Sequence, residues 1–204
     1  MVLCGEPCFA YRLSDIVNGY MRRHSGSNFT ERICIRWPDT LGCACLRQKK
    51  CSTSFICAAA ARVVPSDHPP RDSLVVHLRL GDVLDWPYYR YHKRCNAHRG
   101  CQYVLPLRTY ETFRIPNVSS AVLLGDPHYR FREEFGNGRS IAYRDNVSAI
   151  LRKRGLRVHV RPPGFPDDDL MYAMNARYLL LGKGGFARLM RACSRGTVLK
   201  NFTR

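Results

Sequence analysis

Apolar residues follow two rhythms along this chain, and the rhythms alternate. Leu13, Ile16, Val17, Tyr20 and Met21 share one face of a helix predicted over 11–24, with Ser14 as its cap. Ile33–Trp37 reads as a short strand, 38–52 as a Cys- and Gly-bearing loop, and Ala-rich 53–62 as a helix. Three prolines between Pro65 and Asp72 mark a linker. Beyond it the pattern predicts strand 73–80, an aromatic and basic loop over 83–104, a short helix near 107–113 and strand 121–125. Helices follow at 128–135 and 145–154, then strand 156–160, helix 168–176, strand 178–181, helix 185–193 and a short strand at 197–200. Strands separated by helices at this spacing predict an α/β fold with a doubly wound, mainly parallel, Rossmann-like sheet. The expected division is an abbreviated N-terminal region over 1–66 and a ligand-binding Rossmann-like domain over 67–204.

Three strand ends carry residues suited to chemistry. Leu74-Val75-Val76 runs into His77, Arg79, Gly81 and Asp82. The next strand ends in Gly125-Asp126-Pro127, and another enters Gly182-Lys183-Gly184-Gly185-Phe186 at a helix start. Ligands of open α/β sheets sit outside the carboxyl ends of the strands. On a strand, His77 and Arg79 project to the same face. A guanidinium offers a fixed fork of donors to a phosphate, and a glycine-rich helix start lets backbone N–H groups approach an anion. The last turn is not a Walker A loop, because Arg177 stands where its first glycine belongs and no Ser or Thr follows Lys183. Each strand end by itself also fits a packing turn. Together they point to an anion-binding crevice.

Charge sharpens that expectation. The formal net charge is +17, from 27 Arg and 6 Lys against 16 acidic residues. Such a balance favours phosphate-bearing partners: a nucleotide sugar, nucleic acid or an anionic surface. No apolar run in the sequence approaches the roughly 20 residues of a membrane helix. The ten cysteines include no pair of CxxC knuckles, so zinc fingers fit poorly. Disulfides fit better, with Cys95–Cys101 a plausible pair, and free buried thiols remain the alternative. Asn28, Asn117, Asn146 and Asn201 each open an N-x-S/T sequon. With the cysteines they hint at a secretory lumen.

His77-Leu78-Arg79-Leu80-Gly81-Asp82 resembles the HxRxGD-type motif of the α-1,2-, α-1,6- and protein O-fucosyltransferases. Cys8 to Val17, with Arg12, is similar to the Gly-Asn-Arg-Leu stretch opening their first Rossmann-like domain, although Ala10-Tyr11 precedes Arg12 in place of the Asn. Asp167-Asp168-Asp169 through Phe186 resembles their final motif, with Gly184 and Gly185 where serines are usual. The resemblance implies a GT-B-type glycosyltransferase that moves a sugar, fucose foremost, from a GDP-sugar to a glycan or glycoprotein hydroxyl. It implies no catalytic metal and no other cofactor. Arg79 would meet the donor β-phosphate, His77 and Asp169 the base, and the backbone of Gly184, Gly185 and Phe186 the diphosphate. Lys183 would compensate for the missing serines, and Arg12 and Asp126 would complete the donor side. Asp82 or Asp85 would be the general base. The implied compartment is the Golgi or ER lumen if an anchor precedes the chain, and the cytoplasm otherwise.

Two other readings stay open. Trp86 to Arg94 interleaves aromatic and basic residues, which suits base stacking and phosphate contact in a nucleic-acid-binding protein. No RNP, KH or helix-turn-helix signature accompanies it. A catalytically inactive, glycosyltransferase-like binding module is the third possibility.

Overall fold

The computed structural model describes residues 57, 58, 60, 61, 65, 67–85, 104–125, 138–163 and 166–199. The sequence expectations at 11–24, 33–37, 38–52, 128–135 and Cys95–Cys101 lie outside them, as do nearly all of 1–66 and of the 83–104 loop.

Five parallel strands form one sheet. They are β1 (Ser73–His77), β2 (Ser120–Leu124), β3 (Arg157–Val160), β4 (Tyr178–Leu181) and β5 (Thr197–Val198), in the order β3-β2-β1-β4-β5. β1 is central, pairing in parallel with β2 and with β4. All five of its residues are buried. A parallel strand covered on both faces has no polar side to show, which is why Leu74-Val75-Val76 reads as a continuous apolar run. β3, at one edge, is mostly exposed and mixes polar with apolar residues.

Helices cover both faces. Leu74, Val76, Leu78, Ala121, Leu123 and Leu180 pack with Tyr110 of α2 (Leu107–Thr112) and with Tyr143, Val147 and Leu151 of α3 (Gly138–Lys153). On the other face Val75, Val122, Leu124, Leu179 and Leu181 meet Leu170 and Ala173 of α4 (Pro166–Met174). Ala187 and Met190 of α5 (Gly185–Cys193) complete that layer. A single helical turn, α1 (Asp82–Asp85), follows β1. The chain thus steps from β1 outward to β2 and β3 under one helical layer. It then returns to the far side of β1 for β4 and β5 under the other. This is the expected α/β, Rossmann-like arrangement, and its reversal point lies between β1 and β4.

Several boundaries differ from the sequence expectation. The ladder of β1 stops at His77, not at residue 80. Leu78 and Leu80 nevertheless remain in the same core as Leu74 and Val76, so the alternation runs on past the ladder. α3 begins at Gly138, seven residues before the expected 145. The Asp85 carboxylate explains the early start: Oδ1 accepts from the N–H groups of Arg139 and Ser140 at 3.0 and 3.2 Å. Its end is local. Gly155, at φ +90°, donates to Arg152, and Leu156 donates to Leu151, as in a Schellman motif.

The segment expected as a linker is anchored. Pro69 is buried, Ser73 hydroxyl donates to the Pro70 carbonyl at 2.7 Å, and Asp67 is ion-paired to Arg161 at 2.9 Å. Among the described cysteines, Cys57 and Cys193 form a disulfide that ties the helical residues 57 and 58 to the end of α5.

Candidate functional site

The sheet order brings the three singled-out strand ends side by side, with β1 between β2 and β4, although Asp126 and Pro127 beyond β2 lie outside the described residues. β1 ends at His77 opposite Leu181, the last residue of β4. The pairing continues one step further, because Gly182 N–H donates to the His77 carbonyl at 2.8 Å. A Cβ at Gly182 would stand 3.0 Å from that carbonyl oxygen, 3.3 Å from the Arg79 nitrogen and 3.4 Å from His77 Nδ1. A side chain here would be tight, and the two chain ends would have to part by a few tenths of an ångström to admit it. Gly125 is the closer approach, on the other flank. It holds φ +148°, and a Cβ there would be 2.5 Å from the Leu78 carbonyl oxygen.

His77 is 4% exposed, on the face shared with α4 and α5. Its ring meets Phe186 edge-on, with centroids 5.8 Å apart. Burial, with the nearby Arg79 charge adding to it, pulls its pKa down to about 3, so the imidazole is neutral at pH 7. Its Nδ1 is buried with no hydrogen-bond partner among the described residues. An orphaned buried nitrogen costs free energy that a ligand hydrogen bond recovers. Arg79, two residues on, is half-buried, and the continuing alternation places it on the His77 side.

Facing them is the start of α5. Gly184 is its N-cap at φ +100°, without a side-chain capping bond, and the first turn carries no acidic residue. The leading N–H groups of a helix point out of its N-terminus, where the dipole favours negative charge. Lys183, Gly184, Gly185 and Phe186 are all half-buried at this turn. The buried imidazole and the backbone of Arg79 therefore lie beside an uncapped helix start at one end of the β1–β4 seam.

The other sequence-predicted residues fall in different places. Asp85 is 8% exposed and holds the start of α3 through Oδ1, while its Oδ2 has no partner among the described residues. Ser140 hydroxyl in turn accepts from Gly81 N–H at 2.8 Å, so the turn after β1 and the start of α3 are laced together. Asp169 lies in the first half of α4, where Arg161 donates to it at 2.5 Å. The side chain of Asp82, together with Arg12 and Asp126, lies outside the described residues.

Arg161 is the residue that sequence reasoning missed. It follows β3 directly, bridges Asp67 and Asp169, and lies over the Tyr172 ring at 4.7 Å. Burial lowers its pKa, but the Asp67 hydrogen bond and the two carboxylate charges outweigh it, and the net shift is upward. Its signal was a charged residue at a strand end, the same signal that marked Arg79.

Among the described residues no group of three or more His, Cys, Asp or Glu is placed to hold a metal, and no helix is long and apolar enough to cross a membrane. Comparison with protein-family models, with curated proteins and with solved structures returns no match to this chain.

Proposed function

We propose that the β1–β4 seam binds the diphosphate of a nucleotide sugar, and that the protein is a fucosyltransferase-like glycosyltransferase of GT-B type. One observation carries the reading: His77 ends the central strand, with Arg79 two residues beyond it, where the strand order reverses, beside the uncapped, glycine-rich start of α5. Open α/β sheets bind nucleotides at such a reversal point.

The chemistry follows from the residues. Sugar transfer passes through an oxocarbenium-like state as the nucleoside diphosphate departs. Charge grows on the leaving phosphate, and a guanidinium held there stabilises it in two directions at once. Arg79 has that role, with the α5 N-terminus and Lys183 sharing the anion. The neutral His77, lacking a partner at Nδ1, gives the donor a hydrogen-bonding group. The acceptor, a glycan or glycoprotein hydroxyl, loses its proton to Asp82 or Asp85. In this reading Asp85 Oδ1 is occupied by α3, and Oδ2 is the atom left for a proton. GDP-fucose is the favoured donor because of the HxRxGD-type motif, and the transfer requires no metal.

A calorimetric panel of GDP, UDP, dTDP and CMP, with and without manganese, tests the proposal. GDP is expected to bind tightest and equally well with chelator present. Tight binding of UDP that depends on manganese contradicts the assignment. Retention on mixed nucleic acid with no response to any nucleotide favours the nucleic-acid reading. GDP-sugar binding without turnover indicates the inactive module.

A further inference from the structure

Asn117 lies at the opposite edge of the sheet from the candidate crevice. It is exposed in the irregular segment between α2 and β2, at the amino ends of the strands. It opens the sequon Asn117-Val118-Ser119. The segment is pinned by its own sequon serine: the Ser119 hydroxyl donates to the Asp72 carboxylate and accepts from Arg157 Nη2 at 3.0 Å. The Asn117 side chain is left in solvent, on a fixed stretch of backbone, away from the ends of the strands that carry His77 and Arg79.

The second observation is covalent. Cys57 and Cys193 are joined across 136 positions of sequence, and their bridge closes one face of the fold. Forming it removes two electrons and two protons from the thiols, which a disulfide oxidant accepts in an oxidising compartment and which the thiol pool of a reducing cytosol opposes. That same compartment is where sequons are glycosylated.

We propose that Asn117 carries an N-linked glycan. In the step, Asn117 Nδ2 bonds to the anomeric carbon of an oligosaccharide while the bond from that carbon to a lipid-linked diphosphate breaks. The amide proton and the bonding pair leave with the diphosphate. Among the described residues Asn146 is the competing site; the sequons at Asn28 and Asn201 lie outside them. Asn146 is exposed on α3, but its sequon hydroxyl, Ser148, is buried within a regular helix. The glycan at Asn117 covers the amino-end surface and leaves the β1–β4 seam open. The inference is independent of the nucleotide-sugar reading.

Mass spectrometry of the full chain, purified from the cells that make it, tests the proposal. The peptide carrying Asn117 is expected at a glycopeptide mass, in the same molecules that yield a Cys57–Cys193 linked peptide without reduction. Asn117→Gln expressed in those cells is expected to lose one glycan step in electrophoretic mobility, and Ser119→Thr to keep it. An unmodified Asn117 in bridged protein overturns the proposal. So does a glycan on Asn146 alone.

Discussion

His77 shows how one residue is tuned by its surroundings. Nothing in its own chemistry keeps an imidazole neutral in acid; burial does so, helped by the Arg79 charge. The consequence for stability has a definite sign. The unfolded chain takes up a proton near pH 6.5, whereas the folded protein refuses it until about pH 3. Between those values the unfolded state binds more protons, so stability falls as pH drops, by about 1.4 kcal/mol per pH unit from this residue. The His77 ring proton resonance, followed by NMR, is expected to hold its neutral position from pH 7.5 down to pH 4. A midpoint near 6.5 would mean that the imidazole is not buried as described. Arg161 is tuned in the reverse sense. Two carboxylates and the Tyr172 ring hold it charged. It fixes Asp67 and Asp169 at the end of β3.

At the scale of elements, α3 depends on a residue far from it in sequence. Asp85 caps α3 from 54 positions away, and the Ser140 hydroxyl accepts a hydrogen bond from Gly81 N–H. Asp85→Ala is expected to cost about 1 kcal/mol, the usual worth of such a cap, read as a lower midpoint in urea unfolding. Asp85→Asn keeps the accepting oxygen and is expected to keep most of that stability. An unchanged midpoint in Asp85→Ala would show that the cap contributes nothing. The same dependence explains what the sequence showed of these elements. β1, β4 and α5 were legible because burial on both faces makes strands uniformly apolar, and because an apolar strand entering Gly184-Gly185 announces a helix start. The start of α3 was not legible, since its capping group comes from another element. The extent of β1 was overestimated because the alternation of Leu78 and Leu80 outlasts the hydrogen-bonded ladder. Cys57–Cys193 was beyond reach for a related reason: spacing says nothing about which distant thiols a fold brings together.

For the whole molecule, strand order is what turns separate motifs into a site. The sequence marked His77, Arg79 and the Gly184–Phe186 turn individually, and each by itself fits a packing turn. Only the order β3-β2-β1-β4-β5 makes β1 and β4 neighbours and sets their carboxyl ends side by side. Gly125 then carries a meaning that the sequence did not show, as a point where backbones approach too closely for a side chain, and Gly182 leaves little room for one. In the proposed function Arg79 grips a nucleoside diphosphate at this seam. Phosphorus NMR titration of GDP into the protein, with Arg79→Ala and Arg79→Lys in parallel, tests it most directly. The β-phosphate resonance is expected to shift on binding to the unaltered protein. Arg79→Ala is expected to weaken binding by about 10- to 100-fold, the worth of a lost charge-assisted pair, with the fold intact. Arg79→Lys is expected to recover little of it, because an ammonium cannot reproduce the two-pronged contact. Equal affinity and an equal β-phosphate shift in all three proteins would contradict the account.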